Sequence, residues 1–313
     1  MISFFHSAPV GRSVPSGSRS RFGRRSLSAL ASALVLAVSS GCEPAPEADP
    51  AADSPAAPAA ASLPPGADAA LERLETSPRH GEWLTVPAGD GDEIRAWVVH
   101  PERSDPAPVV VVIHEIFGLT DWIRAVADQL AADGYLVIAP DLLSGMGPGG
   151  GGTESVDADG ARALIGELER PDARRRIRAA GSYATGLPGA SGQIATLGFC
   201  WGGSASFDMA TLDWDELAAA VVFYGTSPAD EELSGVEVPV LGLYAEDDAR
   251  VNTTIETAAA VLADGGQRFE HEIYPGAGHG FLRQQDGRDG ANLAASEAAW
   301  PRALSFLREV MGS

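Results

Sequence analysis

Cys200 stands in the run Gly198-Phe199-Cys200-Trp201-Gly202-Gly203, which follows an apolar stretch at 194–199 and opens a helical pattern. The spacing is that of G-x-S-x-G, with cysteine in place of serine. Glycines on either side let the chain reverse sharply, so the central side chain stands above a sheet edge at the N-terminus of a helix. The partial positive charge of a helix N-terminus favours a thiolate over a thiol, and the thiolate is the nucleophile. A lone cysteine is more often an inert core residue; here the glycine frame at a strand-to-helix turn points to covalent chemistry.

A cysteine nucleophile needs a base to take its proton and an acid to orient that base. His279 lies in Pro275-Gly276-Ala277-Gly278-His279-Gly280-Phe281, just past the last expected strand, where flanking glycines free it to point inward. Among the other histidines, His6 is in the N-terminal basic region, His80 is near the domain start, and His100 and His271 lie in or beside strands. His114, in an apolar strand, reads as a core residue. The orienting acid should follow the preceding strand, where Glu246-Asp247-Asp248 stands. A further carboxylate, Glu115, ends the apolar strand 109–114 and should overhang the nucleophile. The backbone amides of Ile116 and Trp201, directly after Glu115 and Cys200, are natural donors to a developing oxyanion. The chain order nucleophile, acid, histidine is that of α/β-hydrolases.

These residues need elements to hold them. Apolar runs and alternation predict strands at 93–100, 109–114, 136–139, 194–199, 219–224, 240–245 and 269–274. Helical patterns lie at 121–133, 160–184, from 201 onward, at 253–262 and at 293–310. Strands alternating with helices imply an α/β fold, a mostly parallel sheet with helices on both faces, and an active site at the C-terminal strand ends. The glycine-rich stretch 145–152 reads as a mobile loop beside that site, because no lysine follows to make it a phosphate cradle. The arginine run at 174–178 is offset by Glu167, Glu169 and Asp172 and reads as a solvated helix face.

The segments His-Glu-Ile-Phe-Gly at 114–118, Gly-Phe-Cys-Trp-Gly-Gly at 198–203, Asp-x-Arg-Val at 248–251 and Gly-His-Gly-Phe at 278–281 resemble the dienelactone hydrolase family. The similarity runs from about residue 80 to the end of the chain. It implies the α/β-hydrolase fold and a Cys200–His279–Asp248 triad, with Asp248 chosen over Asp247 because the family's acid precedes x-x-Val. It also implies that Glu115 holds or activates the thiol and changes partner when substrate arrives. Arginines clamp the substrate carboxylate in that family, one of them four residues after the histidine, and Arg283 occupies that position. Arg162 is the only guess for the second arginine, and a solvated helix face is its expected place. The implied activity is hydrolysis of lactones or activated esters.

Ahead of the domain, residues 1–41 hold five arginines and no acid, with an apolar stretch at 27–38 too short to span a bilayer. They read as a secretory signal peptide ending in Val38-Ser39-Ser40-Gly41-Cys42, which resembles a bacterial lipoprotein cleavage site with lipidation on Cys42. The segment 42–67 reads as an Ala/Pro-rich tether, since nine alanines, five prolines and four acids among residues 43–62 bury no core. One hydrolase domain is then expected at 68–313, in a protein exported to the periplasm or tethered to its membrane. The bound partner is expected to be a small ester or lactone, with membrane contact only through the anchor, no cofactor, no metal and a monomeric state.

Composition excludes several classes. All 22 basic side chains are arginine, so lysine Schiff bases and P-loop chemistry are ruled out. A net charge of −21 disfavours binding to nucleic acid, and two cysteines make neither a disulfide scaffold nor a cysteine-rich metal site. Two other readings remain beside the hydrolase: a redox thiol at Cys200, and a tethered binding protein that keeps the fold without turnover.

Overall fold

The computed structural model describes residues 62–312. The expected signal peptide, Cys42 and most of the tether lie outside the described residues. In chain order the domain runs α1 (Ala70–Thr76), β1 (Gly81–Gly89), β2 (Asp92–Val99), β3 (Ala107–Ile113), α2 (Asp121–Ala132) and β4 (Leu136–Pro140). It continues α3 (Ala158–Glu167), α4 (Arg170–Thr185), β5 (Ala190–Phe199), α5 (Trp201–Met209), β6 (Leu217–Phe223) and α6 (Asp230–Leu233). It ends β7 (Val240–Asp247), α7 (Ala249–Asn252), α8 (Ile255–Gly265), β8 (Phe269–Gly278) and α9 (Ala291–Met311).

These strands form one eight-stranded sheet in the order β1-β2-β4-β3-β5-β6-β7-β8. The pairs β1–β2 and β2–β4 are antiparallel. Every pair from β4 to β8 is parallel. The valine run of β3 explains itself in this setting. Val110 and Val112 pack with α2 and α9 on one face, while Val109, Val111 and Ile113 pack with α4 on the other. A parallel strand covered on both sides has no polar face, hence no alternation in its sequence.

Three expectations are corrected. The edge strand β1 was not expected; it pairs with β2 through Asp90 and Gly91, both at positive φ (54° and 78°). Asp-Gly between two strands is the signature of a tight hairpin turn, but Pro87 and a register shift near it obscure the alternation of β1. The helix expected over 160–184 is two helices. Pro171 has no N–H and in an unbroken helix would collide with the carbonyl of Glu167, so the chain goes extended at Leu168 and Glu169 and restarts with proline in the first turn of α4. The arginine run is not merely solvated. Arg174 pairs with Asp208 at 2.6 Å, Arg175 with Asp92 at 3.0 Å, and Arg176, buried, with Asp92 at 2.8 Å, which fastens α4 to α5 and to the β1–β2 hairpin.

The residues just before 68 belong with the domain rather than the tether. The Pro64 and Pro65 carbonyls accept hydrogen bonds from Gln285 (2.9 Å) and Trp122 (3.1 Å), and the Ala67 N–H donates to the Arg283 carbonyl at 2.9 Å. Asp128, on α2, fixes the next stretch. Its buried carboxylate takes Arg73 at 2.5 Å, Arg79 at 2.9 Å and the Ser77 hydroxyl. Burial pushes this carboxyl up, but the donors from Arg79, Ser77 and Arg73 outweigh it and hold it below the usual carboxylate range. Stability from a depressed carboxyl is complete above its unfolded pKa and is lost as pH falls through the folded one. Asp128→Ala should therefore cost about 3 kcal/mol at pH 7, because two guanidiniums lose a buried partner. Denaturant titrations of the two proteins should converge as pH drops below the carboxylate range; an equal gap at both pH values would contradict this role.

Candidate active site

Five neighbouring parallel strands deliver one side chain each to the same edge of the sheet. Glu115 follows β3, Cys200 follows β5, Tyr224 follows β6, Asp248 follows β7 and His279 follows β8. The first link is the turn at Cys200, whose φ of 55° and ψ of −117° lie in a region that side-chain-bearing residues rarely enter. Two glycines make it possible. A Cβ on Gly198 would fall 1.9 Å from the Gly202 carbonyl oxygen, and one on Gly202 would fall 2.3 Å from the carbonyl oxygens of both Ile113 and His114. The Cys200 N–H donates to the Phe223 carbonyl at 3.0 Å. Trp201 is the first residue of α5, so its amide is one of the helix's unclaimed donors.

His279 faces this turn. Its Nδ1 lies 2.5 Å from Asp248 Oδ2, and its ring meets the edge of Tyr224 at 5.2 Å. Burial pushes the imidazole pKa down, but the Asp248 hydrogen bond and the Cys200 sulfur together raise it to about 9. His279 therefore holds a proton at neutral pH, with Asp248 and Cys200 as its partners. The three consecutive acids at the end of β7 have separate tasks. Glu246 accepts the Gly276 N–H at 2.8 Å, exposed Asp247 pairs with Arg288, and buried Asp248 takes the histidine. The structure thus distinguishes Asp248 from its neighbours.

Glu115 is buried, with Oε1 2.8 Å from Arg283 Nε. The two atoms are close but not aligned for a hydrogen bond, and neither has another hydrogen-bond partner. Burial pushes the Glu115 carboxyl up to about 7, against the pull of Arg283 and His279. Arg283 also stacks over the Phe117 ring at 5.0 Å. Arg162, expected on a solvated helix face, reaches the same ring at 4.7 Å and pairs with Asp159 at 2.6 Å. Two guanidiniums therefore flank one aromatic ring at the Glu115 side of the site. His114 is structural, as its strand position suggested. Its Nε2 accepts the Leu142 N–H at 3.1 Å, so Nδ1 carries the proton and donates to the Glu115 carbonyl at 2.8 Å.

Sequence reasoning missed Tyr224. It is fully buried, sits at φ 42°, and its hydroxyl has no hydrogen-bond partner. Its position at the C-terminal end of an apolar strand was the available signal. The glycine-rich loop does lie beside the site, with Met146 in the same cluster as Ile116 and Trp201. It is anchored, however: Asp141 accepts from the Thr153 hydroxyl at 2.7 Å and from the Thr153 amide at 2.8 Å. Among the described residues no group of three or more His, Cys, Asp or Glu side chains is arranged to hold a metal ion.

The raised Glu115 pKa has a definite sign for stability. A carboxyl raised by burial binds its proton more tightly folded than unfolded, so it weighs increasingly against the fold as pH rises above its unfolded value, and fully above its folded one. Glu115→Gln should be more stable than the parent at pH 8, by an amount of the order of 3 kcal/mol at most, and the advantage should fade by pH 4.5. Thermal unfolding at both pH values reads this; a larger advantage at pH 4.5 would contradict it.

The comparisons agree with this geometry. Residues 94–311 match the model of the Dienelactone hydrolase family. A protein of Salmonella typhi provisionally described as a carboxymethylenebutenolidase is 32% identical over 244 residues, covering 73% of this chain and 87% of its own. A Saccharolobus solfataricus protein with the same provisional description is 31% identical and covers 71% of this chain and 96% of its own. The crystal structure of a provisionally assigned dienelactone hydrolase from Klebsiella pneumoniae superposes with a TM-score of 0.61 at 29% identity, covering 72% of this chain and 97% of that one. On this family match, these relatives and the shared fold, the chain belongs to the dienelactone hydrolase family and is a dienelactone-hydrolase-like hydrolase.

Proposed function

We propose that the enzyme cleaves lactones or activated esters through covalent catalysis by Cys200, with His279 as acid and base and Asp248 as its orienting partner. The observation that carries this reading is the 2.5 Å contact between His279 Nδ1 and Asp248, which leaves Nε2 to serve a nucleophile at the end of β5. Cys200 Sγ attacks the carbonyl carbon as a thiolate, and the carbonyl oxygen takes the charge between the amides of Ile116 and Trp201. The C–O bond then breaks, and His279 gives its proton to the departing alkoxide or enolate. His279 next takes a proton from water, whose oxygen attacks the thioester; the C–S bond breaks, the acid leaves, and the Cys200 thiolate is restored beside protonated His279. A thiolate is itself a good leaving group, so enol lactones and activated esters suit this chemistry better than amides.

The names of the relatives denote hydrolysis of carboxymethylenebutenolide, an enol lactone bearing a carboxylate. Arg283 and Arg162, both over Phe117, suit an anionic substrate of that kind. A substrate carboxylate competes with Glu115 for Arg283, and Glu115, released, turns to the thiol. Cys200→Ala should lower turnover of an activated ester by about 10³-fold or more. Arg283→Gln should raise KM for a carboxylate-bearing lactone about tenfold or more while changing a neutral ester little. Full hydrolysis by Cys200→Ala contradicts the covalent reading, and an equal effect of Arg283→Gln on both substrates contradicts the anion clamp.

The leader-like residues 1–41 and Cys42 support export and attachment through a lipidated cysteine, with 42 to about 61 as the tether. Metabolic labelling with a fatty acid should mark the full chain in a bacterial host and fail to mark Cys42→Ala; equal labelling of both excludes this anchor.

A further inference from the structure

Arg283 is held at both ends. Its guanidinium meets Glu115 and the Phe117 ring, and its backbone lies in the short turn 280–284 that follows β8 and His279. Two amides close that turn: the N–H groups of Arg283 and Gln284 both donate to the Gly280 carbonyl at 3.0 Å, with Gly280 at φ 78°. Different parts of the chain then take the carbonyls beyond. Ser296 of α9 donates to the Phe281 carbonyl at 3.3 Å, the Gln285 side chain to that of Leu282 at 3.1 Å, and Asn292 of α9 to that of Gln284 at 2.7 Å. The Arg283 carbonyl is held from the other end of the domain, where it accepts the Ala67 N–H at 2.9 Å.

That donor belongs to the run Leu63-Pro64-Pro65-Gly66-Ala67. Its two prolines fix φ and carry no N–H, so their carbonyls are their polar backbone groups. Buried Pro64 accepts from Gln285 Nε2 at 2.9 Å, and Pro65 accepts from Trp122 Nε1 at 3.1 Å. Leu63 and Ala67 pack against the core cluster that contains Trp122, Phe281 and Leu282. Just past Ala67 the chain enters α1, which Arg73 ties to Asp128 of α2 at 2.5 Å. The contacts that set His279 are separate. Its Nδ1 meets Asp248, and the Gly278 N–H before it donates to Asn292 Oδ1 at 2.9 Å. The hydrogen bonds from 63–67 to this turn go to Arg283 and Gln285 instead.

Resting on the anion-clamp reading of Arg283, we propose that segment 63–67 is a positioning strap for substrate selection. The Ala67 amide and the Pro64 carbonyl fix the backbone beneath Arg283, so the guanidinium meets a substrate carboxylate from a preset base. Gripping an anion costs the freedom of the groups that grip it, and a backbone already held has less to lose. The strap lies outside residues 94–311, which match the family model. It acts on the arginine and leaves the imidazole, and with it the chemical step, to Asp248 and Asn292.

Ala67→Pro in the full-length chain tests this. Ala67 opens a 3-10 turn, and Gly66 before it is extended at φ −63° and ψ 170°, a setting that accepts proline. The substitution therefore removes the N–H and sets a ring against the Arg283 carbonyl without refolding the strap. KM for carboxymethylenebutenolide should rise about fivefold, the worth of one hydrogen bond. For 4-nitrophenyl acetate, kcat and KM should both change less than about twofold. Gln285→Ala, which frees the Pro64 carbonyl, should raise the same KM. Adding Ala67→Pro or Gln285→Ala to Arg283→Gln should cost the butenolide nothing further, because the strap acts through that arginine. Thermal transitions are recorded throughout, and if Ala67→Pro does not fold, the Gln285→Ala single and double variants carry the same comparison. Equal losses on both substrates, an unmoved butenolide KM, or losses that multiply in the double variants would each overturn the strap. Failure of the clamp itself is distinguishable: Arg283→Gln alone then affects both substrates alike, whereas failure of the strap leaves Arg283→Gln selective and the strap variants not.

Discussion

The backbone reversal at Cys200 constrains the rest of the site. Gly202 lies so close to the carbonyls of Ile113 and His114 that no side chain fits between them, which fixes the end of β5 against the end of β3. The hydrogen bond from Cys200 N–H to the Phe223 carbonyl fixes it against β6. A positive φ on a residue with a side chain costs of the order of 1–3 kcal/mol, and a sheet buried on both faces holds it in place. Once these contacts are made, the position of Cys200 relative to Glu115 and Tyr224 follows from strand spacing. His279 and Asp248 follow in turn from β8 and β7, the next parallel strands along the sheet.

Around that turn the site is electrostatically divided. On the Glu115 side, burial raises a carboxyl that Arg283 only partly compensates, and two guanidiniums stand over Phe117 in a chain of net charge −21. On the α5 side, Arg170 and Arg174 are paired with Asp208 and Glu232. His279 sits between, its proton held by Asp248. Glu115 Oε1 and Arg283 Nε form an ion pair at 2.8 Å without an aligned hydrogen bond, and the Tyr224 hydroxyl is buried without a hydrogen-bond partner. Such groups carry a desolvation cost that a bound oxygen function relieves.

The strands β3, β4, β6 and the buried parts of β5 and β7 were legible in the sequence because they are covered on both faces and read as unbroken apolar runs, whereas the edge strand β8 shows only alternation. The candidate residues were legible because each stands at or just beyond a strand end, with Cys200 and His279 framed by glycines. What escaped had physical reasons. The hairpin strand β1 is half-exposed and interrupted by Pro87, so its alternation is weak. The split between α3 and α4 was marked by Pro171, but proline is tolerated in a helix's first turn, and the Arg/Ala pattern runs across the break. The arginine run's partners, Asp92 and Asp208, lie far away in sequence, so nothing local distinguishes ion pairs that fasten the fold from a solvated face. Tyr224 looked like one more apolar strand residue; only the folded sheet sets its hydroxyl beside the Cys200 turn. Selecting Asp248 from three adjacent acids needed the family resemblance, and the structure supplies the physical distinction, a buried carboxylate 2.5 Å from the imidazole against an exposed one held by Arg288.

The central claim is that carbonyl carbon is transferred to Cys200 Sγ before water attacks. Rapid acid quenching of the protein during turnover of 4-nitrophenyl acetate, followed by peptide mass spectrometry, tests it most directly. The expected result is an acetyl group on the peptide containing Cys200, appearing within the first turnover and decaying as substrate is exhausted. Steady hydrolysis with no acyl group on Cys200 at any quench time, even when His279→Ala is used to slow deacylation, would contradict it.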